Sequence, residues 1–174
     1  MASTGGKGKV ATFAEAAAHG EIVLNATEGV HSIAALKGAG EANLNGKVLI
    51  DISNALDFSK GMPPRLLVDD TESIAEKIQA ALPKAKVIKS LNTMTASVMV
   101  NPKSVADGDS TVFLSGNDEG AKAQVAELLQ SFGWTDIFDL GDLTSARAAE
   151  LILPLWLRAW GKLGNTPFNF KVAR

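Results

Sequence analysis

The chain has 174 residues, which is enough for one domain with a sizeable hydrophobic core and too few for two. Its 17 basic and 19 acidic residues are interspersed and give a formal net charge of -2, so the sequence offers no basic surface for nucleic acid or anionic lipid. No stretch reaches the roughly 20 apolar residues that span a bilayer. The absence of cysteine excludes disulfides and thiolate chemistry and fits a reducing compartment. We therefore expect a cytoplasmic protein that binds neither nucleic acid nor membrane.

Helical and extended patterns alternate along the chain. Apolar residues at helical spacing, and short apolar runs bounded by turn residues, predict the elements in order. Strands are predicted at 9–12, 21–26, 47–52, 86–91, 111–115 and 134–140. Helices are predicted at 13–19, 28–39, 71–82, 95–100, 118–132 and 145–163. Such alternation is typical of a doubly wound α/β fold, with a mostly parallel sheet and helices on both faces.

Local signals add detail to these elements. Thr12 and Glu15 fit a capping box at the start of the first helix. Pro154 is expected to kink the last helix, because proline removes a helical hydrogen bond. The stretch 57–70 contains a Pro-Pro pair and is expected to form a long loop, and 168–172 is expected to close the chain as an edge strand.

Polar residues follow three of the apolar strands, at the point where each strand ends. Asn25-Ala26-Thr27 follows one strand, Asp51-Ile52-Ser53-Asn54 the next, and Asn92-Thr93 the third. Ligands of open α/β sheets bind outside the carboxyl ends of the strands. The sequence therefore predicts a polar ligand-binding rim at this edge of the sheet.

Each of these polar groups also has a structural explanation. Asn92 and Thr93 suit a ligand's amide, ribose or phosphate, but Thr93 or Thr95 could equally cap the helix that follows. We expect Asp51 to tie down the loop after its strand. For Asn54, a ligand contact and a structural role stay open.

Two further motifs have alternative readings. Trp156 and Trp160 lie four residues apart on the last predicted helix, which favours core packing or a dimer contact over stacking on a nicotinamide or flavin-like ring. The segment Gly5-Gly6-Lys7-Gly8-Lys9 lacks the GxxxxGK[ST] spacing of a phosphate loop and is expected to be a flexible turn.

The order of these pieces resembles one protein family over nearly the whole chain. The segments that carry the resemblance are TFAEA at 12–16, IVLNA at 22–26, VLIDISN at 48–54, VIKSLNT at 87–93, LPLWLR at 153–158 and FNFK at 168–171. They are similar to the deazaflavin (coenzyme F420)-dependent NADP oxidoreductase family. Each segment is short, and their order, spacing and unusual tail together make the resemblance specific.

The resemblance implies a Rossmann-like domain that binds NADP and passes hydride between the nicotinamide and a deazaflavin or another small-molecule redox substrate. The cofactors carry the reactivity, so neither a catalytic triad nor a metal is expected. By similarity, Ala26 and Thr27 would lie along the dinucleotide and Asn54 near its ribose and nicotinamide. The residues expected around the meeting point of the two rings are Asn92, Thr93, Met94, Thr95 and Ala96.

One departure from the family pattern concerns the amino-terminal part. Family members begin with a strand, a GxGxxG turn and a helix, whereas no GxGxxG occurs anywhere in this sequence. We therefore expect 1–174 to be a single, incomplete Rossmann-like domain, an amino-terminally truncated form with impaired NADP binding. On this hypothesis the DNA upstream of Met1 encodes the Gly-rich unit, and 22–26 has an open apolar edge.

A second class of function stays open beside the enzyme. The chain could be a non-enzymatic α/β binding or assembly module that has lost redox function. In that case we expect a homodimer held by the apolar face of the last helix, around Leu155, Trp156 and Leu163.

Overall fold

The computed structural model describes residues 8–164 and 166–174. The strands are β1 (Ile22–Asn25), β2 (Val48–Asp51), β3 (Leu56–Asp57), β4 (Arg65–Leu66), β5 (Lys86–Ser90), β6 (Val112–Gly116) and β7 (Ile137–Asp139). The helices are α1 (Phe13–His19), α2 (Gly29–Ala39), α3 (Glu41–Leu44), α4 (Ile74–Ala81), α5 (Ala96–Met99), α6 (Glu119–Ser131), α7 (Ala146–Leu151) and α8 (Leu153–Lys162).

The central sheet is mostly parallel. Its strand order is β1-β2-β5-β6-β7, and β1, β2 and β5 run in the same direction. Strand β6 is antiparallel to β5, and β7 is parallel to β6. The predicted α/β class with a mostly parallel, Rossmann-like sheet is confirmed, and β1, β2 and β5 are adjacent, as the rim prediction requires.

Helices cover both faces of this sheet, so the strands are apolar on both sides. Side chains alternate along a strand, and Leu49 packs in a core with Leu36 of α2 and Ile78 of α4. Its neighbour Ile50 points to the opposite face, into a second core that includes Val125 of α6. Burial on both faces explains why the strands read as continuous apolar runs in the sequence.

Local capping signals locate the helix starts. The Thr12 hydroxyl accepts a hydrogen bond from the Glu15 backbone, and the Glu15 carboxylate accepts one from Thr12, so the predicted capping box is confirmed. Asp118 caps α6 through the Ala121 backbone N–H. Ser73 begins α4 with a second capping box, which makes this helix start later than predicted.

Proline accounts for the largest difference in the helices. The single helix expected over 145–163 is two helices, α7 and α8, divided at Ile152. Pro154 lies in the first turn of α8. Backbone N–H groups in the first turn have no partner within the helix, so the proline costs no helical hydrogen bond there. A continuous helix would instead have brought the proline ring against the carbonyl of Glu150.

Three predicted extended segments differ as well. Residues 9–12 form no strand, because they have no ladder partner among the described residues. The tail at 168–172 is not a regular strand, although the Thr111 N–H donates to the Phe170 carbonyl. The 57–70 stretch is not wholly irregular, because two-residue strands β3 and β4 pair antiparallel around its tip.

Strand β1 lies at an edge of the sheet. Among the described residues it pairs with β2 alone, and Leu24 is 48% exposed. This agrees with the open apolar edge expected at 22–26. Of the expected Gly-rich turn, Gly5, Gly6 and Lys7 lie outside the described residues.

Candidate functional site

The carboxyl ends of β1, β2 and β5 bring the three polar segments side by side. The register places Asn25 opposite Asp51 and Asp51 opposite Lys89. All three side chains are buried, which means that each polar atom needs a partner inside the protein. The partners divide the rim into a structural part and an accessible part.

The first structural part is a network around Asn25. Its side-chain nitrogen donates to Asp51 Oδ1 at 2.8 Å and to Ser32 Oγ at 2.9 Å. The Thr27 hydroxyl donates to Asn25 Oδ1 at 2.7 Å. The polar groups that follow β1 therefore join the sheet to helix α2.

The second structural part is a buried ionic network centred on Lys89. Its Nζ lies 2.8 Å from Asp51 Oδ2 and 2.9 Å from Glu150 Oε1, and it donates to the Ser53 carbonyl at 2.6 Å. The Glu150 carboxylate also accepts from the backbone N–H groups of Ile74 and Ala75, at the start of α4. One lysine thus connects two strands with helices α4 and α7, and Asp51 has the structural contacts that its sequence position suggested.

Sequence reasoning missed Lys89 and Glu150 as parts of this region. The signal for Lys89 was present, because a lysine inside an otherwise buried strand is almost never fully buried without a partner. Its partners lie far away in the sequence, and no pattern identified Glu150. The buried contacts of Lys89 with Asp51, Glu150 and the Ser53 carbonyl support the accessible part of the rim from below.

The accessible part is an amide pair in which Asn54 is half-buried and Asn92, its partner, is only 3% exposed. Asn54 Nδ2 donates to the Asn92 carbonyl at 2.9 Å, and Asn92 Nδ2 donates to Asn54 Oδ1 at 3.1 Å and to the Ala149 carbonyl at 2.7 Å. Leu91, the residue before Asn92, has a positive backbone φ of 63°. A bulky residue with positive φ is strained, and strain of this kind collects at functional sites.

This amide pair lines a cavity of about 150 Å³, which we call the rim cavity. Its walls are Asn54, Leu56, Asn92, Met94, Leu153, Trp156 and Leu157. Asn54 uses one N–H of its side chain on Asn92, and among residues 8–164 and 166–174 its second N–H has no acceptor. A few polar groups within apolar walls are typical of sites that bind small organic molecules.

The predicted site residues separate into two groups. Asn54, Asn92 and Met94 line the rim cavity together.

The other predicted site residues lie outside the rim cavity. Ala26 is exposed just after β1, Thr27 is hydrogen-bonded to Asn25, and Ala96 is exposed on α5. Thr93 is 1% exposed and does not line the cavity. Thr95 occupies the N-cap position of α5, but its hydroxyl pairs with Ser97 Oγ at 3.2 Å rather than with the helix backbone.

Aromatic side chains of α8 and the tail stack behind the cavity. The Trp156 ring lies 5.7 Å from the Trp160 ring and 5.4 Å from the Phe168 ring, centroid to centroid, in near-parallel orientation. Phe168 meets Phe170 edge to face. Trp156 is therefore both a packing residue and a wall of the rim cavity.

The described residues contain neither a cluster of metal ligands nor a membrane-spanning helix. No group of three or more His, Cys, Asp or Glu side chains in this part of the chain is arranged to hold a metal ion. No helix in 8–164 or 166–174 is long and apolar enough to cross a bilayer.

The strand order, the helices on both faces and the polar carboxyl edge define a Rossmann-like α/β protein. No protein-family model matches the chain. A candidate F420-dependent NADP reductase from Arthrobacter sp. FB24 has 59% sequence identity and a TM-score of 0.92, over 94% of this chain and 74% of that one. This chain belongs to the F420-dependent NADP reductase family, which confirms the resemblance seen in the sequence.

Two other relatives are more distant. The F420-dependent NADP reductase of Methanocaldococcus jannaschii is 30% identical over 142 residues, which cover 81% of this chain. The match spans 62% of that curated reductase, somewhat less than two thirds of its length. A hypothetical protein from Sinorhizobium meliloti has 29% identity and a TM-score of 0.56, over 79% of this chain and 64% of that one.

Proposed function

We propose that this chain holds the nicotinamide of NADP(H) for hydride transfer to or from a deazaflavin. The observation that carries the proposal is the Asn54–Asn92 amide pair inside the apolar rim cavity. It lies at the carboxyl edge of the sheet, where dinucleotides bind in Rossmann-like folds. The names of the family relatives, which refer to NADP and F420, support the same reaction class.

The residues of the rim fit the nicotinamide end of the cofactor. The spare N–H of Asn54 suits the carboxamide oxygen or a ribose hydroxyl, and Met94, Leu153 and Trp156 supply apolar walls for the ring. When bound, the nicotinamide supplies or accepts the hydride. The protein's part is to orient the ring and to exclude water, and the network of Lys89 beneath the rim holds Asn54 in place through the neighbouring Ser53 carbonyl.

The residues present do not fit the pyrophosphate as well. The sequence contains no GxGxxG to bring backbone N–H groups close to it. Helix α2 does not replace that site, because the Gly29 N–H at its start already donates to the Asn54 carbonyl at 3.1 Å. We therefore propose that the 174-residue chain, assayed alone, recognises the nicotinamide half of NADPH and gains little from the rest.

Reduced nicotinamide mononucleotide tests this directly, because it carries the ring and one phosphate only. We expect the purified chain to bind it with an affinity within about tenfold of that for NADPH, a difference of at most about 1.4 kcal/mol. Nicotinamide fluorescence measures both titrations. Much tighter binding of NADPH would show a phosphate site elsewhere in the chain, and failure to bind either compound would remove the enzyme proposal.

Asn54→Ala identifies the site. We expect it to weaken binding of the mononucleotide about tenfold, because a hydrogen bond to the ring is lost. Asn43→Ala is the matched control: its amide also bonds a backbone carbonyl, that of Ala39 at 2.8 Å, but it does not line the rim cavity. Equal weakening by both variants would point to a general loss of structure rather than to a contact.

A non-enzymatic assembly module is the second candidate, favoured by exposed leucines on α8 and at its C-cap. Leu155 is 60% and Leu163 50% exposed, whereas Trp156 packs on neighbouring rings. We propose that a homodimer would bury the two leucines. Analytical sedimentation that gives a monomer at all protein concentrations would exclude that dimer.

A cytoplasmic location stays a prediction from the sequence.

A further inference from the structure

Residues 168–174 run along the start of strand β6, and we call this segment the strap. The Thr111 N–H donates to the Phe170 carbonyl at 2.9 Å, and the Thr111 hydroxyl accepts from the Val172 N–H at 2.9 Å. The Asn169 side chain donates to the Thr111 carbonyl at 3.1 Å. Thr111 itself is 0% exposed. Three residues of the strap are thus bonded to one buried residue of the sheet.

Asp136 lies immediately before β7 and binds the two cations of the strap. Its carboxylate accepts from the Thr111 hydroxyl at 2.6 Å, lies 3.1 Å from Lys171 Nζ and pairs with the Arg174 guanidinium. The Thr111 hydroxyl and these two cations hold the pKa of Asp136 at about 2, so the carboxylate is charged at neutral pH. The Arg174 guanidinium also lies 4.8 Å from the centroid of the Phe138 ring. One carboxylate therefore joins the strap to the starts of both β6 and β7.

The strand directions bring the strap to the edge of the sheet where the rim cavity lies. Strand β6 is antiparallel to β5, with Leu114 opposite Ser90, so β6 begins beside the carboxyl end of β5. Strand β5 leads into Asn92, which lines the rim cavity. The strap and the rim cavity therefore share one edge of the sheet.

Phe168 is the residue through which the strap meets a wall of the rim cavity. Its ring lies 5.4 Å from the Trp156 ring, centroid to centroid, at an interplanar angle of 22°. The Trp156 indole N–H is buried and, within the part of the chain that the structure describes, has no hydrogen-bond partner. Packing against other rings, rather than a hydrogen bond, therefore orients this wall.

We propose that Asp136 is a positioning residue for nicotinamide binding: it fastens the strap, the strap holds Phe168 against Trp156, and Trp156 is thereby kept in place as a wall of the rim cavity. The inference rests on the proposed function and adds a residue that acts on the cavity without touching it. Neither Asp136 nor Phe168 lines the cavity. A displacement of about 1 Å caused by a remote substitution can weaken a positioned contact strongly.

Asp136→Asn tests the first link with little change of shape. The amide is neutral, so Lys171 and Arg174 lose their shared anion. We expect titration with reduced nicotinamide mononucleotide to show binding weakened about three- to tenfold. Asp109→Asn is the matched control, because it removes a partner 2.7 Å from Lys171 whose side chain is 77% exposed, and it leaves the contacts of Thr111 in place. We expect its affinity to stay within about twofold of wild type, and equal weakening by both variants would overturn the inference.

Phe168 tests the second link. Phe168→Ala should weaken binding of the mononucleotide to the same extent as Asp136→Asn, whereas Phe168→Tyr keeps the ring and should retain the affinity. In the Phe168→Ala background, Asp136→Asn should cause no further loss, because both substitutions act through the same ring. Additive losses would overturn the route through Phe168.

Circular dichroism of the protein without ligand separates this inference from the proposed function. The Trp156 and Trp160 rings lie 5.7 Å apart in near-parallel orientation and should give a coupled indole band, which Trp160→Phe should remove. We expect Asp136→Asn and Phe168→Ala to diminish the band, and Asp109→Asn and Phe168→Tyr to retain it. An unchanged band in Asp136→Asn would overturn the inference and leave the proposed function intact. If the mononucleotide does not bind the unaltered chain, the proposed function and the binding role of Asp136 both fail, and the band alone decides whether Asp136 orients Trp156.

Discussion

Lys89 and Asp51 form an ion pair of 2.8 Å with both side chains 0% exposed, directly beneath the amide pair at the rim. Glu150 completes the group from helix α7, at 2.9 Å from the same ammonium. Two carboxylates and one ammonium are thereby held out of water. Their desolvation is offset because every carboxylate oxygen and every ammonium proton of the group has a partner, including the two backbone N–H groups that donate to Glu150.

Removal of the lysine charge should therefore be severe. Lys89→Met leaves two buried carboxylates without their cation, and we expect a loss of about 3–5 kcal/mol in the free energy of unfolding. Urea titration followed by circular dichroism measures it. Lys77→Met is the control, because the Lys77 side chain is 39% exposed and its Nζ lies 3.7 Å from Glu72, so the loss should stay below about 1 kcal/mol. A loss below about 1 kcal/mol for Lys89→Met would contradict a buried ionic network centred on this lysine.

The Asn54–Asn92 pair should show energetic coupling. Each alanine substitution removes a hydrogen bond that the other residue shares, so the double variant should cost less than the sum of the singles. We expect a coupling of about 0.5–3 kcal/mol from a double-mutant cycle in chemical denaturation. The same cycle between Asn54 and Asn43, which share no partner, should be additive within about 0.5 kcal/mol.

The junction between β2 and α2 should reject a methyl group at Gly29. A Cβ there would lie 2.6 Å from the Asn54 carbonyl carbon, and the backbone would have to move. We expect Gly29→Ala to reduce stability by about 1–3 kcal/mol and to displace Asn54. Gly38→Ala in the same helix meets nothing closer than 3.9 Å and should be neutral or stabilising by about 0.5–1 kcal/mol. Similar stabilities for the two variants would refute the close contact.

Acid stability should depend on the pair formed by Glu76 and Arg147. The Arg147 guanidinium donates to both oxygens of the Glu76 carboxylate and lowers the pKa of Glu76 to about 2. The folded state thus binds fewer protons than the unfolded state, whose carboxyl keeps its ordinary pKa of 4.5. The stabilisation is present above pH 4.5 and is lost as pH falls toward 2.

Glu76→Gln checks that sign. We expect it to cost about 1–3 kcal/mol at pH 7 and to flatten part of the stability loss between about pH 4.5 and 2, measured by denaturant titration at several pH values. The exposed Glu127→Gln should leave both the stability and its pH dependence close to wild type. An unchanged pH slope in Glu76→Gln would show that the Arg147 pair does not control this transition.

Several parts of the molecule were predictable because their determinants are local. The capping box of Thr12 and Glu15 and the cap at Asp118 act within three residues, and short apolar runs identified β1, β2 and β5. The adjacency of the three polar strand ends followed from parallel packing, since carboxyl ends of parallel strands share one edge. Of the predicted rim residues, Asn54, Asn92 and Met94 line the cavity.

The α/β class, the family and the position of the polar edge could thus be read from local patterns, because periodicity, capping and strand-end composition depend on near neighbours. The tertiary structure decided which polar groups are used internally and which stay available. Lys89 meets Asp51 across 38 residues, and Asn92 reaches the Ala149 carbonyl across 57. The first contact depends on the pairing of β2 with β5, and the second on how helix α7 packs against the rim. Such packing is encoded in the whole core rather than in any local motif.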